Sequence, residues 1–190
     1  MIELILGGAR SGKSRLAESR IMQWSDSDLD GGSENVSIEN IVYIATATAG
    51  DQEMQQRIEL HKSRRPAHWQ LIEEPLYLAE TLKDNNRKGT VILVDCLTLW
   101  LSNLLCHQDS RIFLLEKKRF LKQLQDTQAD IVMVSNETGM GVVPMGELPR
   151  RYVDESGWLH QELAQISDKV TLVVAGLEHT LKNDCADREV

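Results

Sequence analysis

Cysteines, long apolar runs and export signals are scarce or absent in this sequence. Only 3 of its 190 residues are cysteines, and Cys96, Cys106 and Cys185 lack the spacing of a metal site. We expect free thiols in a reducing cytoplasm, and hence a cytoplasmic protein. No apolar run reaches the roughly 18 residues that a membrane span needs. The first residues also lack the basic region and cleavage site of a signal peptide, so we expect neither a membrane span nor export.

Basic residues are also in deficit, because 21 Lys and Arg face 29 Asp and Glu, giving a net charge of −8. A broad basic surface is what nucleic acid binding requires, so no nucleic-acid partner is expected. An anionic ligand must instead be held by a local device. The 42% apolar and 26% charged residues are typical of a globular protein and exclude wholesale disorder, collagen and coiled coil. We expect a single domain over residues 1–190.

Five short apolar runs predict β-strands. Most are rich in Val and Ile and none alternates cleanly with polar residues, as is typical of parallel strands buried on both faces. Segments of helical period separate them, which predicts an α/β fold with a mostly parallel sheet covered by helices. The predicted strands are 2–6, 41–45, 91–94, 131–134 and 170–175, and helical segments follow near 16–21, 54–61, 97–105, 112–125 and 148–166.

Two segments do not fit this alternation. Residues 25–40 are rich in Ser, Asp, Gly and Asn, and they cannot bury enough apolar surface to offset their ordering entropy. They are predicted to be an exposed insertion. Residues 178–190 are polar and are predicted to be a fraying tail.

A phosphate-binding motif, G-x-x-x-x-G-K-[ST], follows the first predicted strand and precedes a predicted helix. Glycines let successive backbone N–H groups wrap a phosphate, and the helix N-terminus adds about half a positive charge. Lys13 is expected to reach the β- and γ-phosphates, and the Ser14 hydroxyl to bind Mg²⁺. The fold is therefore predicted to be P-loop NTPase-like, with three α/β/α layers. The loop residues are Gly7, Gly8, Ala9, Arg10, Ser11, Gly12, Lys13 and Ser14.

An aspartate ends the third predicted strand in the Walker B manner. Asp95 is expected to position Mg²⁺ or its water. It could also cap the helix that begins at Leu97, and the two roles are compatible. The N-K-x-D motif of guanine-binding switches is absent, and the D-x-x-G match at residues 154–157 lies inside a predicted helix, so we discount it.

Four cations surround one histidine after the second predicted strand. They lie within the nine residues 57–65, around His61, and Pro66 is expected to end their helix. In an acidic protein this cluster indicates an anion site; the alternative is a solvated helix face. His68 is more typical of a surface or packing residue.

Several stretches together resemble the bifunctional adenosylcobinamide kinase/adenosylcobinamide-phosphate guanylyltransferase family (CobU/CobP) of cobalamin biosynthesis. They cover most of the chain in the family's order, and S-N-E-x-G-x-G-V-x-P is more specific than the phosphate loop. The insertion and the segment after residue 178 lie outside the resemblance. The stretches are residues 7–18, 43–47, 53–69, 94–105 and 134–161.

The resemblance implies two reactions. A kinase step moves the γ-phosphoryl group of ATP or GTP to the aminopropanol hydroxyl of adenosylcobinamide. A guanylyltransferase step attaches GMP from GTP to adenosylcobinamide phosphate and releases pyrophosphate. The phosphate loop and Asp95 imply Mg²⁺ as cofactor. The resemblance suggests a homo-oligomer, specifically a trimer.

In this family the second step passes through a guanylylated histidine, which here matches His61, since Leu60 stands where some relatives carry a second histidine. Imidazole, with an unperturbed pKa of about 6.5, is a suitable nucleophile near neutral pH. The surrounding cations, Arg57 among them, would keep it neutral and spread the charge on the phosphate oxygens. The resemblance further implies that the guanine nucleotide is bordered by Ala45, Thr46, Ala47, Lys62, Ser63, Arg64 and Arg65 and contacted by Glu73 and Asp95. Glu73 could instead be a solvated acid.

Residues 135–149 are rich in Gly, Met and Pro and follow a buried strand, where open α/β sheets place their sites. We expect an active-site loop near the corrinoid, with Asn136 and Glu137 facing the cleft; an irregular connection is the alternative. Arg150 and Arg151 could meet a substrate phosphate or a neighbouring subunit. Trp100, Trp158 and the apolar stripe over residues 97–105 could belong to an interface or to the core.

Two other functions remain open. One is a P-loop small-molecule kinase with no guanylyl step, in which His61 is structural. The other is a non-enzymatic nucleotide-binding switch, against which the absent guanine motif and the dense second cation cluster argue.

Overall fold

The structure is a computed structural model that describes residues 1–27, 38, 40–48, 66 and 68–185. In these residues the chain alternates strands and helices along almost its whole length. The strands are β1 (Ile2–Gly7), β2 (Asn40–Ala45), β3 (Gln70–Glu73), β4 (Thr90–Asp95), β5 (Asp130–Asn136), β6 (Lys169–Val174) and β7 (Leu177–Asn183). The helices are α1 (Lys13–Ser27), α2 (Leu78–Asp84), α3 (Leu97–Leu105), α4 (Arg111–Gln125) and α5 (Glu147–Ile166).

The strands form one sheet in the order β3-β2-β4-β5-β1-β6-β7, and only the β6–β7 pair is antiparallel in the described chain. Because parallel strands point the same way, the segments that follow β1, β2, β4 and β5 leave the sheet at one edge. The register places Gly7 beside Asn136 of β5 and Val173 of β6. The predicted α/β fold with a mostly parallel, P-loop-like sheet is confirmed.

Helices pack on both faces of this sheet, which explains the continuous apolar strands. On one face Ala17 and Ile21 of α1 pack against a cluster that includes Ile5. On the other face α2 to α5 pack together, with the rings of Trp100 and Phe120 4.8 Å apart between centroids. The described part of the chain therefore has the three predicted layers.

The apolar stripe of α3 belongs to the core. Leu97, Leu101, Leu104 and Trp100 are buried, and the Trp100 indole N–H donates a 2.8 Å hydrogen bond to the Leu76 carbonyl. Trp158, in contrast, is 54% exposed on α5. In the described residues, no helix combines the length and the apolar character that crossing a bilayer requires.

The prediction of a fraying tail is wrong for residues 178–183, which lie in β7 and pair with β6. A two-residue turn joins the two strands, and Ala175 and Gly176 both have positive φ, 53° and 80°. Such turns favour tight antiparallel hairpins because their twist matches that of the strands. Residues 186–190 lie outside the described residues.

Sequence inspection also missed β3 and α2. β3 is a four-residue edge strand in which only Ile72 is partly buried, so it lacks the apolar run of a central strand. α2 buries Leu78, Ala79 and Leu82, and the Ala79 N–H donates to the buried carboxylate of Glu116 at 2.9 Å.

The predicted insertion has narrower bounds than residues 25–40. α1 continues to Ser27, β2 begins at Asn40, and the side chain of Ile38 is partly buried against the α1-side core. The prediction of exposure is therefore wrong for Ile38. Residues 28–37 and 39 lie outside the described residues.

A buried ionic cluster joins α1 to the sheet. The carboxylate of Glu3 is fully buried, and Arg20 Nε lies 3.2 Å from its Oε2. Lys169 Nζ lies 3.6 Å from Glu3 Oε1, and the Thr171 hydroxyl donates to the same oxygen at 3.0 Å. Arg20 also reaches Glu178 of β7 at 2.6 Å. The helix that follows the phosphate loop is thus tied to β1, β6 and β7.

Candidate active site

The phosphate loop runs from the end of β1 to the start of α1, and its backbone requires glycine. Gly7 has φ of 154°, and a Cβ there would lie 2.4 Å from the Val173 carbonyl oxygen. Gly12 has φ of 102°, in the region that side chains disfavour. The Ser11 carbonyl accepts a 2.9 Å hydrogen bond from the Gly176 N–H, so the β6–β7 turn supports the loop.

Lys13 is buried inside this loop. Its ammonium donates to the Gly8 carbonyl at 2.5 Å and lies 3.5 Å from the Ser11 hydroxyl. Burial lowers the pKa of Lys13, and the neighbouring Cys96 and Asp95 oppose that shift. A cation held in a partly desolvated loop attracts phosphate more strongly than one in open water.

Asp95 ends β4 and lies near Lys13, as the Walker B interpretation requires. Its Oδ2 accepts a 2.8 Å hydrogen bond from the Tyr43 hydroxyl of β2. The N-cap position of α3 is Cys96, and no side-chain hydrogen bond caps that helix. The alternative role of Asp95 as a helix cap is therefore not what the structure shows.

The donor set fits a magnesium ion shared with a nucleotide. Mg²⁺ is usually bound by one or two carboxylates together with phosphate oxygens and water, and Asp95 and Ser14 provide a carboxylate and a hydroxyl. Among the described residues, no group of three or more His, Cys, Asp or Glu side chains is placed to hold a metal ion. Any Mg²⁺ here would therefore depend on the phosphates for the rest of its ligands.

Cys96 lies beside these residues and is a poor nucleophile at neutral pH. Burial, followed by the charge of Asp95, raises the pKa of its thiol to about 11, although nearby backbone and side-chain groups of Leu99 and Thr98 lower it in part. The thiol is therefore protonated under ordinary conditions.

The segment after β2 is fixed by Thr46. Its fully buried hydroxyl donates to the Cys96 carbonyl at 2.6 Å and accepts from the Cys96 N–H at 3.0 Å. The Asn103 amide of α3 donates to the carbonyls of Thr46 at 2.9 Å and Pro75 at 3.1 Å. Thr46 therefore holds the predicted nucleotide-bordering residues Ala45 and Ala47 against the start of α3, and its own polar atoms are engaged within the chain.

The loop after β5 lies against the phosphate loop. The Glu137 N–H donates to the Gly7 carbonyl at 2.9 Å, and the Asn136 N–H donates to the Thr98 hydroxyl at 2.7 Å. One carboxylate oxygen of Glu137 accepts from the Gly139 N–H at 2.6 Å. The structure thus places Asn136 and Glu137 next to the phosphate loop and the start of α3; that they face a cleft for the corrinoid stays a prediction.

Beyond Gly139 this loop exposes apolar side chains. Val142 is 97% exposed, and its neighbours are also largely in contact with solvent. Contiguous exposed apolar groups are typical of a ligand or protein contact surface. The members of this apolar loop surface are Met140, Val142, Val143, Met145 and Leu148.

His160 of α5 is a site residue that sequence reasoning missed. Its Nε2 lies 2.8 Å from the Ser135 hydroxyl, and its Nδ1 lies 3.5 Å from the Glu137 carboxylate. Burial lowers the pKa of His160, and the carboxylate of Glu137 opposes that shift. Its signal in the sequence is weak, a histidine on the buried helix face between Leu159 and Leu163.

Of the remaining predicted residues, some lie at the surface and others are not described. Glu73 is exposed at the end of β3, in register with Ala45 of β2, and His68 is exposed near the surface. The guanidinium of Arg150 donates to the Met145 carbonyl, and that of Arg151 lies 5.6 Å from the ring centroid of Phe113. The predicted residues Arg57, His61, Lys62, Ser63, Arg64 and Arg65 lie outside the described residues.

A phosphate loop between a central parallel strand and a helix, with an aspartate at the end of a nearby strand, defines a P-loop nucleotide-binding protein. Residues 3–181 match the family model of cobinamide kinase / cobinamide phosphate guanyltransferase, and the chain belongs to this family. The resemblance and the enzyme class predicted from the sequence, a bifunctional kinase and guanylyltransferase, are confirmed.

Curated relatives match over nearly their full length. The chain is 52% identical over 184 residues to the bifunctional adenosylcobalamin biosynthesis protein CobP of Pseudomonas aeruginosa, covering 97% of this chain and 99% of that protein. It is 34% identical to CobU of Escherichia coli and 35% identical to CobU of Salmonella typhimurium, each with 96% of this chain and 100% of the relative covered. A solved structure from Pyrococcus horikoshii OT3 aligns with 96% of the chain and 86% of its own at TM-score 0.48 and 10% identity.

Proposed function

We propose that this protein phosphorylates adenosylcobinamide with a nucleoside triphosphate, ATP or GTP, and then transfers GMP from GTP to adenosylcobinamide phosphate. The products would be adenosyl-GDP-cobinamide and pyrophosphate. Family membership and similarity to proteins named as bifunctional support this proposal. The observation that carries it is the complete phosphate loop, in which Lys13 lies buried close to Asp95.

In the kinase step, the backbone N–H groups of residues 7–14 bind the triphosphate and Lys13 contacts its β- and γ-phosphates. Ser14 and Asp95 would hold Mg²⁺, which would neutralise phosphate charge when bound. The γ-phosphorus forms a bond to the substrate hydroxyl oxygen as the bond between the γ-phosphorus and the β-phosphate oxygen breaks. The nucleoside diphosphate leaves and the hydroxyl proton passes to solvent. The apolar loop surface lies next to Glu137, which supports a role in holding the corrinoid there.

In the guanylyl step, a ring nitrogen of His61 attacks the α-phosphorus of GTP. The bond to the β-phosphate oxygen breaks and pyrophosphate leaves. A phosphate oxygen of adenosylcobinamide phosphate then attacks the same phosphorus and releases the imidazole. Arg57, Lys62, Arg64 and Arg65 would spread the charge on the phosphate oxygens. The role of His61 rests on the family resemblance and on the match to the family model.

The proposal also covers the oligomeric state, the cellular location and the partners of the protein. We propose a homo-oligomer, specifically a trimer, on the strength of the family resemblance alone. A cytoplasmic location is supported by the free cysteines, Cys96, Cys106 and Cys185. The acidic net charge of −8 supports a protein without a nucleic-acid partner.

His61→Asn tests the proposal, because asparagine keeps part of the size and polarity but has no nucleophilic nitrogen. The variant should still phosphorylate adenosylcobinamide, since that step needs no covalent intermediate. It should take up no label from α-labelled GTP and form no GDP-corrinoid. His68→Asn, which changes an exposed histidine nearby, should behave like the wild type in both assays.

Other outcomes discriminate between the alternatives. Equal loss of both activities in His61→Asn would mark this histidine as structural or as a γ-phosphate contact. Retention of both activities would remove His61 from the mechanism. A wild-type protein that phosphorylates adenosylcobinamide but never retains label would support a kinase without a guanylyl step.

A further inference from the structure

Ser135, His160 and Glu137 form a row that begins in the core and ends at the phosphate loop. Ser135 is 2% exposed, His160 is buried, and the Glu137 side chain is 20% exposed. A serine, a histidine and a carboxylate that contact one another in this order are typical of a nucleophile and its base. Here the serine hydroxyl is too buried to contact a substrate. Only the Glu137 end of the row is accessible. Ser135 and His160 therefore act by fixing the orientation of the Glu137 side chain.

Glu137 is held on three sides. Its backbone N–H donates to the Gly7 carbonyl at 2.9 Å, and its Oε1 accepts from the Gly139 N–H at 2.6 Å. Its Oε2 lies 3.5 Å from His160 Nδ1. Gly7 begins the phosphate loop, and Gly139 begins the part of the β5–α5 loop that leads to the apolar loop surface. Glu137 thus contacts both loops whose spacing sets the distance between nucleotide and acceptor: its backbone contacts the phosphate loop, and its carboxylate fixes the β5–α5 loop at Gly139.

We propose that His160 is a positioning residue for phosphoryl transfer, which orients Glu137 through Nδ1 and thereby holds the β5–α5 loop against the phosphate loop. This inference rests on the proposed kinase function. The polar partners of His160 in the described structure are Ser135 and Glu137, so its effect on the nucleotide loop passes through Glu137. Phosphoryl transfer depends on positioning, and a misplaced acceptor slows it even when nucleotide binding is intact.

A neutral His160 has one ring N–H, and the proposal assigns it to Nδ1. A carboxylate can only accept, so the proton must lie on Nδ1 for a hydrogen bond to Glu137. Nε2 then accepts from the Ser135 hydroxyl, which explains the 2.8 Å contact there. Glu137 sets the tautomer, because its carboxylate can only accept, and the Ser135 hydroxyl is compatible with it because a hydroxyl can donate to Nε2.

Two substitutions at His160 separate its two contacts. The asparagine amide nitrogen falls near the position of Nδ1, and the glutamine amide nitrogen near that of Nε2. His160→Asn therefore keeps a donor for Glu137 and loses Ser135. His160→Gln can keep the contact with Ser135, whose hydroxyl then accepts from the amide instead of donating, and it loses Glu137. We expect the kinase kcat to fall ~10-fold or more in His160→Gln but less than ~3-fold in His160→Asn, with nucleotide KM within ~2-fold in both.

Glu116→Gln is the control for a polar change in a buried place. Glu116 is buried on α4, far along the chain from both loops, and accepts from the Ala79 N–H. The Glu116→Gln substitution should lower the melting temperature without changing the kinase kcat. If His160→Gln and His160→Asn lose the same activity, or lose it in proportion to their melting temperatures, His160 is merely structural and the inference is wrong.

The Glu137→Gln background gives a second measurement. If His160 acts through Glu137, adding His160→Gln to Glu137→Gln should reduce kcat by less than ~2-fold further. Effects that multiply would overturn the inference. Should His160→Gln fail to fold, the imidazole tautomer of the wild-type protein decides the matter by nitrogen NMR. An Nδ1–H ring supports the inference, and an Nε2–H ring contradicts it.

Failure of the inference is distinguishable from failure of the proposed function. A wild-type protein with no adenosylcobinamide kinase activity contradicts the proposed function. A wild-type kinase in which the asparagine and glutamine variants behave alike contradicts only the role of His160.

Discussion

The hydroxyl of Tyr43 donates a 2.8 Å hydrogen bond to Oδ2 of Asp95, from a buried ring on the neighbouring strand. In the register of the sheet, Tyr43 lies beside Leu93 and Ala45 lies beside Asp95. The tyrosine therefore reaches two residues along the strand to the carboxylate. A group that holds a metal-binding carboxylate in one orientation tunes its affinity for the ion without touching it.

Tyr43→Phe should weaken Mg²⁺ binding, because Asp95 is no longer held in one orientation. The ring stays in place, so the fold should persist, but the hydrogen bond is lost. We expect the Mg²⁺ concentration for half-maximal kinase activity to rise by ~10-fold. Tyr77→Phe, at an exposed tyrosine, should leave it unchanged. An identical Mg²⁺ titration for wild type and Tyr43→Phe would show that this contact has no role in metal binding.

Lys13→Ala and Ser14→Ala should each lower phosphoryl transfer by at least ~10²-fold at saturating nucleotide, because the reaction depends on charge neutralisation and positioning. Arg15→Ala, one residue further along α1 and exposed, should keep a near-normal rate. Steady-state kinase assays with excess Mg²⁺ make the comparison. Near-normal rates in both loop variants would refute the assignment of the phosphate loop.

Replacing residues 28–37 by a short Gly/Ser turn should leave the melting temperature and both activities close to those of the wild type. Loop length changes closure entropy slowly, by ~0.6 kcal/mol per doubling. The matched variant that also carries Ile38→Ser should be less stable, because Ile38 packs against the α1-side core. Thermal unfolding of the two proteins is the measurement. A large loss in the first variant would reveal an ordered, functional element in the removed segment.

Arg20→Met should destabilise the protein far more than Glu178→Gln. Among the described residues, removing Arg20 leaves the fully buried Glu3 carboxylate with Lys169 alone as a nearby cation, and breaking a buried pair costs ~3–5 kcal/mol. Glu178 is 45% exposed, and losing an exposed pair costs below ~1 kcal/mol. Urea unfolding of both variants tests this order. Similar losses in the free energy of unfolding would mean that the charge of Glu3 is neutralised without Arg20.

Much of the fold could be predicted from local patterns. The five central strands are continuous apolar runs, and a run such as residues 91–94 has that composition wherever it is buried on both faces. Sequence patterns did not predict β3 and β7, because edge strands bury one face or less. Gln70–Glu73 and Leu177–Asn183 therefore have no apolar run. The alternation of Leu177, His179 and Leu181 with polar residues, after a turn containing Gly176, was the available signal for β7.

The sequence alone determined the family, and it predicted the phosphate loop and the Walker B aspartate, because these signals lie in contiguous residues. Gly7 to Ser14 form a site from their own backbone, so their order is sufficient. Only the tertiary structure decided that Tyr43 supports Asp95, that Glu3 is neutralised by Arg20, and that His160 meets Glu137 and Ser135. These partners lie far apart in the chain, and such contacts depend on strand order and helix packing. The sequence around a lone tyrosine, glutamate or histidine looks the same whether or not the fold places a partner beside it.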